Sequence, residues 1–144
     1  MPTSQNWAAW ALLSAAFAAL TAIFAKVGLE GIDSDYATLV RTGIILVVLA
    51  VLVAMLGKWR DPTTLPGRSL TFLTLSGLAT GASWLCYFRA LKVGDATRVA
   101  PIDKFSVVLV AIFATVFLGE RPSLRDWSGV ALVSAGVLLL SIRK

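Results

Sequence analysis

The sequence predicts an all-α membrane protein, a bundle of five transmembrane helices. Three observations carry that reading. Of the 144 residues, 58% are hydrophobic and only 15% are charged, where a soluble domain carries about 45–50% and about 25%. The apolar residues fall into five runs, each close to the roughly 20 residues that a helix needs to cross a hydrocarbon core. None of the runs shows the short alternation of a barrel strand, and unpaired backbone amides in lipid leave helices as the physical choice.

The first run covers 7–29. Segment 1–6 has no Lys or Arg. A cleaved signal peptide wants a basic start and a shorter apolar stretch, so the run reads as a span. Gly31-Ile32-Asp33-Ser34-Asp35 is a turn with cap candidates for the second run, 36–56. Asp61-Pro62 and Pro66-Gly67 break helix before the third run, 70–91. Gly94 followed by Asp95 and Thr97 offers a helix stop and then caps for the fourth run, 99–118. Gly119 repeats the stop, and Ser123 with Asp126 has capping-box spacing at the start of the fifth run, 124–142. No linker is long enough to separate domains, so 1–144 reads as one. Trp7, Trp59 and Trp127 lie near run ends, where indole prefers the headgroup layer.

Composition removes several chemistries. There is no His, and Cys86 is the one cysteine. That excludes His-ligated metal, a His acid–base pair, an intrachain disulfide and a thiolate cluster. No acid–base or nucleophile constellation is visible, so the chain reads as no enzyme, with no cofactor and no metal. The net charge of +5 is scattered between apolar runs. Lipid headgroups, not nucleic acid, are therefore its expected partners, and a cell membrane its expected place.

Five spans put the two termini on opposite sides. One side holds Lys58, Arg60, Arg68, Arg121 and Arg125, and the other Lys26, Lys92, Arg98, Arg143 and Lys144. Orientation follows the Lys/Arg bias of short loops, and here it nearly vanishes. Dual insertion, with pairing of inverted copies, is one consequence. A single orientation set by other effects is the alternative.

Charges inside spans are costly unless they pair, snorkel or face water. Lys26 and Glu30 have the spacing of a weak helical pair. Arg41 lies about one and a half turns into the second run, and Arg89 one turn before the end of the third. Asp103 and Lys104 follow Pro101. If the fourth helix starts at Pro101, Asp103 is a first-turn acid. If it starts near Thr97, Pro101 is a kink and Asp103 lies deeper. All of these charges lean toward one membrane face, which suggests one polar layer, with Asp103 pairing Arg41 or Arg89. Trp84 and Tyr87, beside Ser83 and Cys86, suit a solute cavity or plain packing. Gly129 and Gly136 are seven apart and share a helix face.

Ala90-Leu91-Lys92-Val93-Gly94-Asp95-Ala96 followed by Val99-Ala100-Pro101-Ile102 resembles the third-to-fourth helix junction of EamA domains. Phe117-Leu118-Gly119-Glu120-Arg121 and Trp127-Ser128-Gly129-Val130-Ala131-Leu132 are similar to the next junction, and Val133 to Leu140 to the apolar, glycine-bearing ending. The chain is thus identified as a single EamA domain of the drug/metabolite transporter superfamily.

The resemblance implies one half of a ten-helix inverted-repeat transporter, whose substrate site lies between repeats near the midplane. A lone half implies a second copy, and an antiparallel homodimer is how the related small multidrug resistance transporters assemble. Gly129 and Gly136 resemble the dimer contact of those proteins. Arg41 matches an Arg that family members often turn toward the transport path. The expected substrate-binding residues are Arg41, Trp84, Tyr87, Arg89, Asp103 and Lys104. The first run holds no carboxylate between Trp7 and Leu29, unlike the cationic-drug exchangers. The expected function is therefore alternating-access transport of a small anionic or zwitterionic metabolite across a bacterial or archaeal inner membrane. Alternatives are a lipid-linked carrier translocase, its accessory subunit, or a structural membrane protein that transports nothing.

Overall fold

Apolar runs become helices and the polar gaps become caps and turns. The computed structural model describes residues 6–142. In order these form α1 (Asn6–Gly28), α2 (Ser34–Met55), a 3-10 turn (Pro62–Thr64), α3 (Gly67–Val93), α4 (Ala96–Asp103), α5 (Ser106–Phe117) and α6 (Leu124–Ser141). No strand occurs among the described residues. Five stretches are long and apolar enough to cross a membrane: Trp7–Gly28, Ser34–Met55, Gly67–Val93, Ala96–Phe117 and Leu124–Ser141. The all-helical class with five spans is therefore as expected. The signal-peptide question at 1–5, and Arg143 and Lys144 from the loop balance, lie outside the described residues.

Capping fixes the helix ends. The Asp33 carboxylate accepts from the amides of Asp35 and Tyr36, at 2.9 and 3.1 Å, and starts α2. Gly31 supplies the left-handed turn before it, at φ 71°. Ser123 and Asp126 form a reciprocal capping box at the start of α6. Asp95 takes the cap position of α4 but makes no side-chain cap bond.

The fourth span departs from the single helix expected over 99–118. It starts upstream, at Ala96, and is divided around Lys104 and Phe105. Pro101 lies inside α4. It has no N–H, so the carbonyl one turn earlier loses its donor. The next amides tighten: Lys104 donates to the Pro101 carbonyl at 3.0 Å and Phe105 to that of Ile102 at 2.9 Å. These three-residue bonds end the α-helical register. Asp103 is the last residue of α4, not a first-turn acid.

The chain divides into two compact units, 23–93 and the remainder. In the first, α2 and α3 pack side by side. Its core is small: Leu91 is fully buried, Phe88 and Leu29 nearly so, and Thr38 is buried with its hydroxyl donating to the Ser34 carbonyl at 2.8 Å. In the second, α6 packs on α4 and α5, and Val137 is buried. Outer faces remain apolar: Leu39 is 67% exposed and Leu132 74%. In a bilayer such faces meet lipid tails that are as apolar as they are, so packing and hydrogen bonds hold the helices, not a hydrophobic drive between them.

Candidate functional site

Within the unit 23–93, three cations tie the end of α1, the α1–α2 turn and the start of α2 to the end of α3. Lys26 Nζ donates to the Leu91 carbonyl at 2.7 Å, and Lys92 Nζ to the Ile32 carbonyl at 2.6 Å. Arg89 grips Asp35 with both prongs: Nε to Oδ1 at 2.8 Å and Nη2 to Oδ2 at 2.6 Å. Leu91 is in the last turn of α3, where carbonyls lack helical donors. A Lys there satisfies the carbonyl and complements the helix dipole. Lys26, expected opposite Glu30, thus reaches across to another helix. The Arg89–Asp35 pair is exposed, so its worth depends on screening by the headgroup layer.

Arg41 lies deeper, seven residues into α2, about 10 Å along its axis. Its guanidinium carbon is 4.4 Å from the centroid of the Trp84 ring and 5.1 Å from that of Phe88. Trp84 and Phe88 are four residues apart on α3, so both rings face the same neighbour. Tyr87 sets its ring edge-on to Phe88, centroids 6.4 Å apart. Among the described residues no carboxylate pairs with Arg41; the ion pairs are Arg89–Asp35 and Lys104–Asp103.

A charge at the centre of a span costs about 2.5–3.5 kcal/mol on insertion scales. A ring contact returns about 0.5–1 kcal/mol where water reaches it and about 2 kcal/mol where it does not. Arg41 is half-buried, so the two contacts offset part of its cost without a counter-ion. The guanidinium N–H groups make no hydrogen bond to a described residue, and such groups are what a carboxylate or phosphate engages in two-pronged fashion.

The structure thus brings Arg41, Trp84 and Tyr87 into one cluster. Arg89 sits with Asp35. Asp103 pairs with its neighbour Lys104 at 3.2 Å, at the break in the fourth span. Gly129 and Gly136 lie in α6, and a Cβ built on either would meet no heavy atom within 4 Å. No group of three or more metal-ligating side chains converges among the described residues. Sequence reasoning missed Phe88 and Asp35. The four-residue step from Trp84 could have flagged Phe88. Nothing local flags Asp35, because its partner is 54 residues away.

The EamA-like transporter family matches residues 5–142. The chain is 64% identical over 139 residues to an "Uncharacterized transporter in cobO 3'region" of a Sinorhizobium species, covering 96% of this chain and 99% of that protein. It is 34% identical over 73 residues to a "Probable 4-amino-4-deoxy-L-arabinose-phosphoundecaprenol flippase subunit ArnE" of Yersinia pestis. That match covers 51% of this chain and 64% of the flippase subunit. A Yersinia pseudotuberculosis protein of the same description matches over the same extent. No solved structure matches the chain.

Proposed function

The chain belongs to the EamA-like transporter family, and on that premise we propose that this multi-pass membrane transporter carries a small anionic or zwitterionic metabolite by alternating access between two inverted copies. The observation that carries the reading is Arg41. It is a permanent cation deep in a span, stacked on Trp84 and Phe88, with no carboxylate pairing it among the described residues. A solute carboxylate or phosphate would complete its coordination.

In this reading Arg41, Trp84 and Tyr87 contact solute directly. Arg89 contributes charge near the membrane face while Asp35 holds its fork. The Asp103–Lys104 pair, at a helix break, is a further proposed contact for solute. Discontinuous helices supply such polar points in inverted-repeat transporters. The open faces of Gly129 and Gly136 support antiparallel contact between two copies, since small residues let backbones approach in lipid. The balanced basic loops support insertion in both orientations.

The test is uptake into liposomes carrying the purified chain, against labelled carboxylates, phosphate esters, amino acids and organic cations. The reading expects saturable uptake of an anionic or zwitterionic compound, competed by other anions. Uptake confined to organic cations overturns it.

A second reading is favoured by the flippase-subunit relatives: translocation of a lipid-linked sugar phosphate, alone or beside a partner subunit. Its phosphate would suit the same Arg41. Labelled lipid-linked sugar flipping, with no uptake of any water-soluble anion, selects this reading.

A further inference from the structure

The α5–α6 hairpin forms an open groove of about 430 Å³. Ala111 and Ala114 of α5 and Val130 of α6 give it an apolar part, and Glu120, Arg121 and Trp127 give it a polar part. Local structure fixes those three. Helix α5 ends with the Leu118 and Glu120 amides both donating to the Ala114 carbonyl, at 3.0 and 3.2 Å, around Gly119 at φ 68°. That wrap folds Glu120 back over the last turn of α5. Three residues on, the Ser123–Asp126 box starts α6. Glu120 and Arg121 are therefore held between two capped helix ends.

The charges in this groove are unequally used. Asp126 also lines it, but its carboxylate accepts from the Ser123 amide and hydroxyl at 2.8 and 2.7 Å. The side chains of Glu120 and Arg121 are exposed at its rim, with no ion pair or hydrogen bond to any described residue, and they do not pair with each other. The Trp127 indole N–H has no partner among the described residues either. One groove thus presents an unpaired carboxylate, an unpaired guanidinium and an indole donor beside an apolar wall. Its place is where α5 stops and α6 starts, the level at which headgroups meet tails.

We propose that this groove is a binding site for a phospholipid whose headgroup carries a primary ammonium. The phosphate lies against Arg121 and the Trp127 N–H, the ammonium against Glu120, and the first carbons of the tails against Ala114 and Val130. A phosphate alone would leave Glu120 facing an anion, and an ammonium alone would leave Arg121 unpaired. A water-soluble phosphoamine would match the charges but not the apolar wall. The site is independent of the Arg41 reading, because it needs no solute movement.

The experiment is native mass spectrometry of the purified full chain in dodecyl maltoside. It is titrated with dioleoyl-phosphatidylethanolamine, dioleoyl-phosphatidylglycerol or soluble glycerophosphoethanolamine. Wild type should retain the ethanolamine lipid about tenfold better than the glycerol lipid, as expected of a charge-assisted bond to Glu120. Glu120→Gln should abolish that preference and leave glycerol-lipid retention unchanged. Arg121→Gln should weaken both. Ala114→Leu, which fills the groove from a helical position, should weaken both while circular dichroism shows the helices intact. Equal retention of the two lipids by wild type, or an undiminished preference in Glu120→Gln, overturns the proposal. So does displacement of bound lipid by glycerophosphoethanolamine at equal concentration, which would assign the groove to a soluble phosphoamine.

Discussion

The guanidinium of Arg41 stacks on the Trp84 ring, 4.4 Å from its centroid, across the α2–α3 interface. The pairing solves a problem that the sequence poses. A cation seven residues into a span must be stabilised or must escape to the surface. Here the aromatic faces of α3 hold it within the span. Its N–H donors make no hydrogen bond to a described residue, whereas an aspartate at that depth would occupy them. Nearer the membrane face the rule differs: Arg89 is bound edge-on by Asp35, with both prongs used. Two arginines of one helix pair thus have opposite availability for an anion.

The buried end of α3 should be the weak point of its unit. Leu91 is fully buried and its carbonyl receives Lys26 Nζ. Leu91→Ala should cost about 2 kcal/mol, the low end of the cavity range, because lipid adds no hydrophobic drive. Lys26→Met should also destabilise, by orphaning the carbonyl. Unfolding in mixed micelles, read by circular dichroism, checks both. No loss of stability in either variant would contradict the described packing.

The loop before α3 should respond to acid. Thr63 donates its amide and its hydroxyl to Asp61 at 2.9 and 2.8 Å, and these bonds hold the carboxyl below the ordinary aspartate range. With the folded pKa depressed, the turn Pro62–Thr64 gains stability above the ordinary value and loses it as pH falls through the folded one. The Thr63 amide resonance should therefore titrate with a midpoint below that of a free aspartate. Asp61→Ala should remove the titration.

The face of α6 that carries Gly129 and Gly136 should tolerate bulk within one copy. No heavy atom lies within 4 Å of a Cβ at either position. Gly136→Leu should leave helicity and thermal midpoint nearly unchanged yet lower the dimer fraction, measured by cross-linking in liposomes. An unchanged dimer fraction in both Gly129→Leu and Gly136→Leu would remove these residues from the interface.

Much of the fold was legible because span length and capping chemistry are local. The five runs, the Asp33 cap and the Ser123–Asp126 box all follow from residues within one or two turns. Helix ends ran past the apolar runs, as where α3 starts at Gly67 and takes in Arg68 and Ser69, because polar residues near a membrane face can continue a helix. The break in the fourth span was half legible. Pro101 announces strain, but the two tightened bonds that end the helix lie downstream of it. Arg41 and Trp84 stood out in the sequence as candidates through residue type and depth. Their contact, and the Arg89–Asp35 grip, depend on the register between α2 and α3, which no local pattern encodes.

Whether Arg41 binds solute is decided by the uptake, in Arg41 variants, of whichever anion the wild-type protein transports. Each variant is reconstituted at equal density and checked for dimer fraction. Arg41→Ala should lower uptake by about tenfold or more, the worth of a charge-assisted two-pronged contact. Arg41→Lys should recover part of it, because the charge returns without the fork. Normal uptake by both variants would contradict the account and leave Arg41 as a packing residue held by Trp84 and Phe88.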